Sequence, residues 1–215
     1  MTPRPNMDHI RKPQILDAAG EVITERGLAG ARIADIADRA GTSPPAVLYW
    51  FEDREQLLNE ALGWSEDRFY DSLTERLDSV DTPAQRLRLL FEASAEDPDW
   101  TLWMELWARA LRDEQARKTR LRLDARWRDE IAALVTAGQA TGEFDGARDA
   151  DEIALLLASL LDGLALQATL DDPSVDAKRV RDLLIEAAGR LLGTELPDID
   201  ERTTNRGHEA LAEGG

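Results

Sequence analysis

The stretch Ala31–Leu58, ARIADIADRAGTSPPAVLYWFEDREQLL, decides how this chain folds. A short apolar-periodic run from Ile33 to Ala40 ends at Gly41, and a second runs to about Trp50. Ile33, Ile36, Ala37 and Ala40 recur at helical spacing, so one face of the first run packs on a neighbouring element. Gly41 suits a sharp turn because glycine tolerates left-handed backbone without a steric penalty. In the second run Val47 and Phe51 lie at i, i+4 and point to a core. That leaves Ala46, Leu48, Tyr49 and Trp50 for the outer faces. A short helix, a glycine turn and a second short helix are the parts of a helix-turn-helix, whose second helix enters the DNA major groove.

Working outward, the same helical period continues almost everywhere, and no segment alternates with the period of a strand. Upstream, Ile10 to Arg26 reads as a helix that stops at Gly27. Downstream, a long helix from Asp53 reaches about Leu77. Thr82-Pro83 then restarts the chain as an N-cap followed by a first-turn proline. Further helices follow to Phe91, over Trp100–Leu111, up to about Thr141, over Ala150–Leu170 and over Asp176–Leu192. The expected fold is all-α with about nine helices. Residues 1–52 form an N-terminal arm and helix-turn-helix, 53–194 a helical effector-binding and dimerisation domain, and 195–215 a flexible polar tail.

Composition narrows the chemistry. The chain has 215 residues, no cysteine and two histidines, His9 and His208, both in polar end segments. Disulfides, thiolate nucleophiles and cysteine-ligated zinc are excluded, and histidine chemistry has almost no material. Asp97 and Asp99 look like a loop and a helix cap. No phosphate-cradling glycine loop or nucleophile elbow appears. The reading is a protein without catalytic residues, metal site or cofactor. The N-terminus has no apolar core of a secretory signal. The apolar run Ile153–Ala168 is short for a membrane span and is interrupted by Ser159, Asp162 and Gln167. The expected setting is therefore the cytoplasm, without membrane attachment.

A net charge of −17 is unusual for a DNA binder, but its distribution is informative. Residues 1–50 hold six cations and six acids, so the rest of the chain carries the whole excess. An acidic body repels DNA from every face except the neutral one and helps orient docking; acidic surfaces also aid solubility.

Glu25-Arg26-Gly27, Ile36-Ala37, Ala40-Gly41, Ser43, Phe51, Arg54 and Leu57, in that order, resemble the N-terminal domain of the tetracycline-repressor (TetR) family. The nine-helix layout extends the resemblance to the whole chain. Trp103, Trp107 and Leu160-Leu161-Asp162-Gly163-Leu164 are similar, more loosely, to the choline-responsive BetI-type branch. The resemblance implies a homodimer joined through roughly residues 150–192 and middle helices that enclose an effector pocket. It also implies a repressor that binds a pseudo-palindromic double-stranded operator and is released by a small molecule. Three positions depart from the family pattern. Arg32 stands where a threonine often caps the second helix, the usual recognition-helix tyrosine falls on Leu48, and Pro44-Pro45 opens that helix.

Candidate DNA-contacting residues are Arg11, Lys12, Thr42, Ser43, Pro44, Ala46, Tyr49, Trp50 and Arg54. Arg54 matches a family lysine and would meet phosphate, the alternative being a plain surface arginine. Ser43 either caps the recognition helix or touches phosphate, capping being favoured. Tyr49 either contacts DNA or packs. Candidate effector-lining residues are Trp64, Phe69, Trp100, Trp103, Met104, Trp107, Trp127 and Asp162. Trp100, Trp103, Met104, Trp107 and Leu111 form one helical stripe and Trp127 belongs to a second, and such stripes are more often core than ligand lining. Asp162, the only charge between Ile153 and Leu170, faces a cationic effector, pairs with an arginine, caps Gly163 or points to solvent. Aromatic faces with a carboxylate suit a cationic or aromatic effector. The competing reading is a helical protein-interaction module that no longer binds DNA.

Overall fold

The computed structural model describes residues 12–95 and 100–199, which form nine helices and no strand. They are α1 (Lys12–Gly30), α2 (Ile33–Arg39), α3 (Pro44–Trp50), α4 (Arg54–Asp78), α5 (Pro83–Ala95), α6 (Trp100–Ala110), α7 (Glu114–Thr141), α8 (Ala150–Thr169) and α9 (Ala177–Leu192). The all-α expectation holds, and most ends fall within a few residues of the sequence reading.

The chain packs as two compact units. Among the described residues, one comprises 12–69 with 100–123 and the other 70–95 with 124–199. The boundary expected at 52/53 coincides with the α3–α4 loop, yet packing does not divide there. Leu57, Leu58, Ala61 and Leu62 of α4, Leu102 and Leu106 of α6, and Leu123 of α7 join the same buried cluster as Ile15, Val22, Ile36, Val47 and Phe51. Three short helices alone bury too little apolar surface to be stable, and these additions complete their core.

Within the first unit, helical geometry breaks at Gly27, where φ is 70°. A Cβ there would stand 2.6 Å from Glu105 Oε1 of α6, so both backbone and space call for glycine. Gly41 turns the chain between α2 and α3 at φ 67°, with the Thr42 N–H donating to the Ala37 carbonyl over 2.8 Å. Pro44 opens α3 at a position where its missing N–H has no intrahelical partner to lose.

In the second unit α9 packs on both α8 and α5. Thr82 caps α5 by accepting from the Gln85 N–H at 3.2 Å, as its sequence position predicts. Asp149 and Asp176 cap α8 and α9 in the same way. α8 is long and apolar enough to cross a bilayer. Here it buries Ile153, Leu157, Leu161 and Leu164 on one face while Leu155, Leu156 and Leu166, and Leu170 at its C-cap, stay exposed. The segment expected to be a free tail from residue 195 begins packed instead. Leu196 is buried, and its carbonyl accepts from Arg88 Nη1 at 3.0 Å. Residues 200–215 of that expectation lie outside the described residues.

Candidate nucleic-acid interface and effector residues

The helix-turn-helix is held shut by its own charges. Arg39 of α2 reaches back to α1, bonding Glu21 Oε2 at 2.7 Å and both carboxylate oxygens of Glu25 at 2.7 and 2.8 Å. These bonds hold the Glu25 carboxyl below its usual range and raise the Arg39 guanidinium above its own. Arg26 pairs with Asp35 at 2.7 Å. Lys12 pairs with Glu60 of α4 and lies 5.1 Å from the centre of the Phe51 ring. The ammonium is thus turned to α4 and an aromatic face. Arg11 lies outside the described residues.

Arg54 is engaged within its own chain as well. Its Nε donates to the Ala31 carbonyl at 2.7 Å, Nη2 donates to the Leu28 carbonyl, and Nη1 meets Glu55 Oε1 at 2.8 Å. A phosphate would have to compete with all three. The fork geometry of a guanidinium suits the neighbouring carbonyls that follow the Gly27 break, and the side chain locks the end of α1 to the start of α4. Glu55 also pairs with Arg109 of α6, which in turn reaches Asp113 Oδ2 at 3.1 Å. Spacing along the sequence gave no signal for this link, because it joins residues from opposite ends of the unit.

On α3 itself, Ala46 is 2% exposed and packs inward with Val47, so it is withdrawn from the DNA-contacting set. Ser43 sits at the N-cap position but makes no side-chain cap bond, contrary to the expected capping role. Ser43 and Pro44 are exposed and Thr42 is partly buried. Tyr49 is exposed, and its ring meets that of Trp50, itself 37% exposed, edge-on at 5.5 Å. Arg32, exposed at the N-cap of α2, makes neither a cap bond nor an ion pair among the described residues. Neither Arg32 nor Leu48 stood among the expected contacts, although Leu48 is half exposed. Its i+3 spacing from Pro45 is the signal that could have found it.

The expected effector residues divide between the units: Trp64, Phe69, Trp100, Trp103, Met104 and Trp107 in the first, Trp127 and Asp162 in the second. The stripe expected on α6 is shifted. Leu102, Leu106 and Ala110 form its buried face, Trp103, Met104 and Trp107 are half-buried, and Leu111 is 74% exposed. The indoles of Trp103 and Trp107 lie 6.5 Å apart and tilted, and the buried Nε1 of Trp107 has no acceptor among the described residues. A cleft of about 790 Å³ in the first unit is lined by Trp64, Asn59, Glu60, Arg109 and Thr119 among others. None of the other expected effector residues of this unit lines it. Trp64 donates its indole N–H to Asp17 Oδ1 at 2.9 Å. No cluster of three or more metal-ligating side chains occurs among the described residues.

Comparison with known proteins places these features in a family. Residues 15–61 match the family model "Bacterial regulatory proteins, tetR family", and residues 83–193 match "BetI-type transcriptional repressor, C-terminal". The HTH-type transcriptional regulator BetI of Vibrio parahaemolyticus is 28% identical over 190 residues, covering 83% of this chain and 90% of the relative. The crystal structure of a TetR-family transcriptional regulator from Rhodococcus sp. superposes with a TM-score of 0.76 at 30% identity, covering 84% of this chain and 97% of the other. A transcriptional regulator from Saccharomonospora viridis, solved in complex with choline, gives a TM-score of 0.74 at 28% identity over 81% of this chain and 93% of that one. A helix-turn-helix on an all-helical body, with both halves matched in order, makes this chain a DNA-binding transcription regulator of the TetR family, with a BetI-type C-terminal half.

Proposed function

We propose that the protein is a repressor that binds a pseudo-palindromic operator as a homodimer and is released by a small cationic effector of the quaternary-ammonium type. The observation that carries the dimer is the outer face of α8, where Leu155, Leu156 and Leu166, with Leu170 at the C-cap, remain exposed while the opposite face is already core. A row of leucines left in water on one helix is the expected state of a surface that a second subunit covers. Two copies joined this way present two recognition helices, which must sit about 34–36 Å apart to enter successive turns of one DNA face. Support for the effector class comes from the choline-bound relative and from half-buried tryptophans of the kind that hold quaternary ammonium groups. The unmatched indole N–H of Trp107 supplies a donor that a ligand oxygen would satisfy. Release then follows from differential affinity: an effector that binds the non-operator conformation better lowers operator affinity by that ratio.

Selection of bound duplexes from a random pool, followed by salt and choline titrations on the winner, tests this reading. The expected outcome is a palindromic duplex whose affinity falls with salt and falls again with choline. A palindrome insensitive to choline removes the effector class and leaves the operator. No enriched sequence from folded, dimeric protein favours the interaction module.

A further inference from the structure

The exposed face of the recognition helix has an unusual chemistry. From Pro44 to Trp50 the side chains are two prolines, alanine, valine, leucine, tyrosine and tryptophan, with no carboxylate, amide or cation among them. The common hydrogen-bonded readouts place arginine or lysine on guanine, asparagine or glutamine on adenine, and a carboxylate on cytosine. Each needs a side chain that α3 lacks. For an apolar side chain in the major groove, the feature left to read is the 5-methyl group of thymine.

The fold shows which side chains stand in position to read it. Ala46, Val47 and Phe51 are buried, so α3 turns its opposite face outward. Pro45 and Leu48, at i and i+3, share the middle of that outward face, with Pro44 and Tyr49 on its flanks. Leu48 is 49% exposed and Tyr49 71%. Both expose apolar surface on the second helix of the helix-turn-helix, the one that enters the major groove in this motif.

We propose that this regulator specifies its half-sites by apolar contact of Pro45 and Leu48 with thymine methyl groups. Bidentate hydrogen bonds to bases play no part in the readout from α3. The proposal rests on α3 being the helix that enters the major groove, and the test separates the two. In the duplex selected by the full-length protein, each half-site thymine is replaced in turn by deoxyuridine, which keeps every hydrogen-bonding group and removes one methyl. At least one position per half-site is expected to weaken binding about fourfold, the transfer value of one buried methyl. In Leu48→Ala protein the penalty at that position shrinks, because the partner of the methyl is already gone. Two outcomes overturn the proposal while DNA binding stands. One is equal affinity for thymine and deoxyuridine duplexes at every position. The other is a methyl penalty that both Leu48→Ala and Pro45→Ala leave unchanged. Failure of folded protein to enrich any duplex overturns the proposal together with the reading beneath it.

Discussion

Arg54 is engaged within its own chain, whereas Arg32 makes no cap bond or ion pair among the described residues. Arg54 matches a family lysine, and the resemblance suggests a phosphate contact, yet its nitrogens are engaged by the Leu28 and Ala31 carbonyls and by Glu55. Arg32 stands where a cap is usual, caps nothing, and is exposed beside the helix that crosses the DNA backbone in this motif. Arg32→Ala is therefore expected to weaken binding about equally on all sequences. It should also reduce the log–log salt slope by about one, with an unchanged melting temperature. Arg54→Ala is expected to lower unfolding free energy by about 2 kcal/mol, since it strips two carbonyls of a charged donor, while leaving the salt slope unchanged. Salt titration and thermal melts of both variants decide the matter; the opposite pattern returns the phosphate contact to Arg54.

The order of elements is legible in the sequence because apolar spacing, glycine stops and cap residues act over one or two helical turns. Gly27, Gly41, Thr82 and Pro83 all punctuate the chain where their local chemistry requires. What faces what is less legible. On α6 the tryptophans attract attention by size, but a ring that large is seldom fully enclosed. The helix instead packs by Leu102, Leu106 and Ala110, with Leu102 Cδ1 4.0 Å from where a Cβ on Gly20 of α1 would be. Arg54 turns inward to carbonyls 23 and 26 residues earlier, which no local pattern reports. Asp113 is a further element-scale device. Its Oδ1 accepts from the Ala116 N–H at 2.7 Å at the start of α7, and that bond, with the Arg109 guanidinium, holds its carboxyl below the usual carboxylate range. Asp113→Ala is expected to lower stability by about 1 kcal/mol at neutral pH. Because the carboxyl is depressed in the folded state, its contribution is present above its unfolded value and disappears as acid protonates it. Melts at pH 7 and near pH 3 should show the variant's deficit closing; an equal deficit at both would mean that the carboxylate charge contributes nothing.

At the scale of the molecule, the exposed leucines of α8 and the placement of charge shape how the protein works. Leu155→Glu with Leu166→Glu is expected to leave each chain folded, since both side chains are already exposed, and to yield a monomer in light scattering at micromolar concentration. A dimer that survives both changes would move the interface off this face. The charges have a different reach. Lys12, Arg26 and Arg39 of the reading head are each tied to a carboxylate of their own chain, and the remainder of the molecule is strongly acidic. Binding to arbitrary DNA depends almost wholly on free cations meeting phosphates. With Arg32 the cation left untied among the described residues of the head, weak binding to operator-free duplex is expected, and a titration of such a duplex at physiological salt checks it.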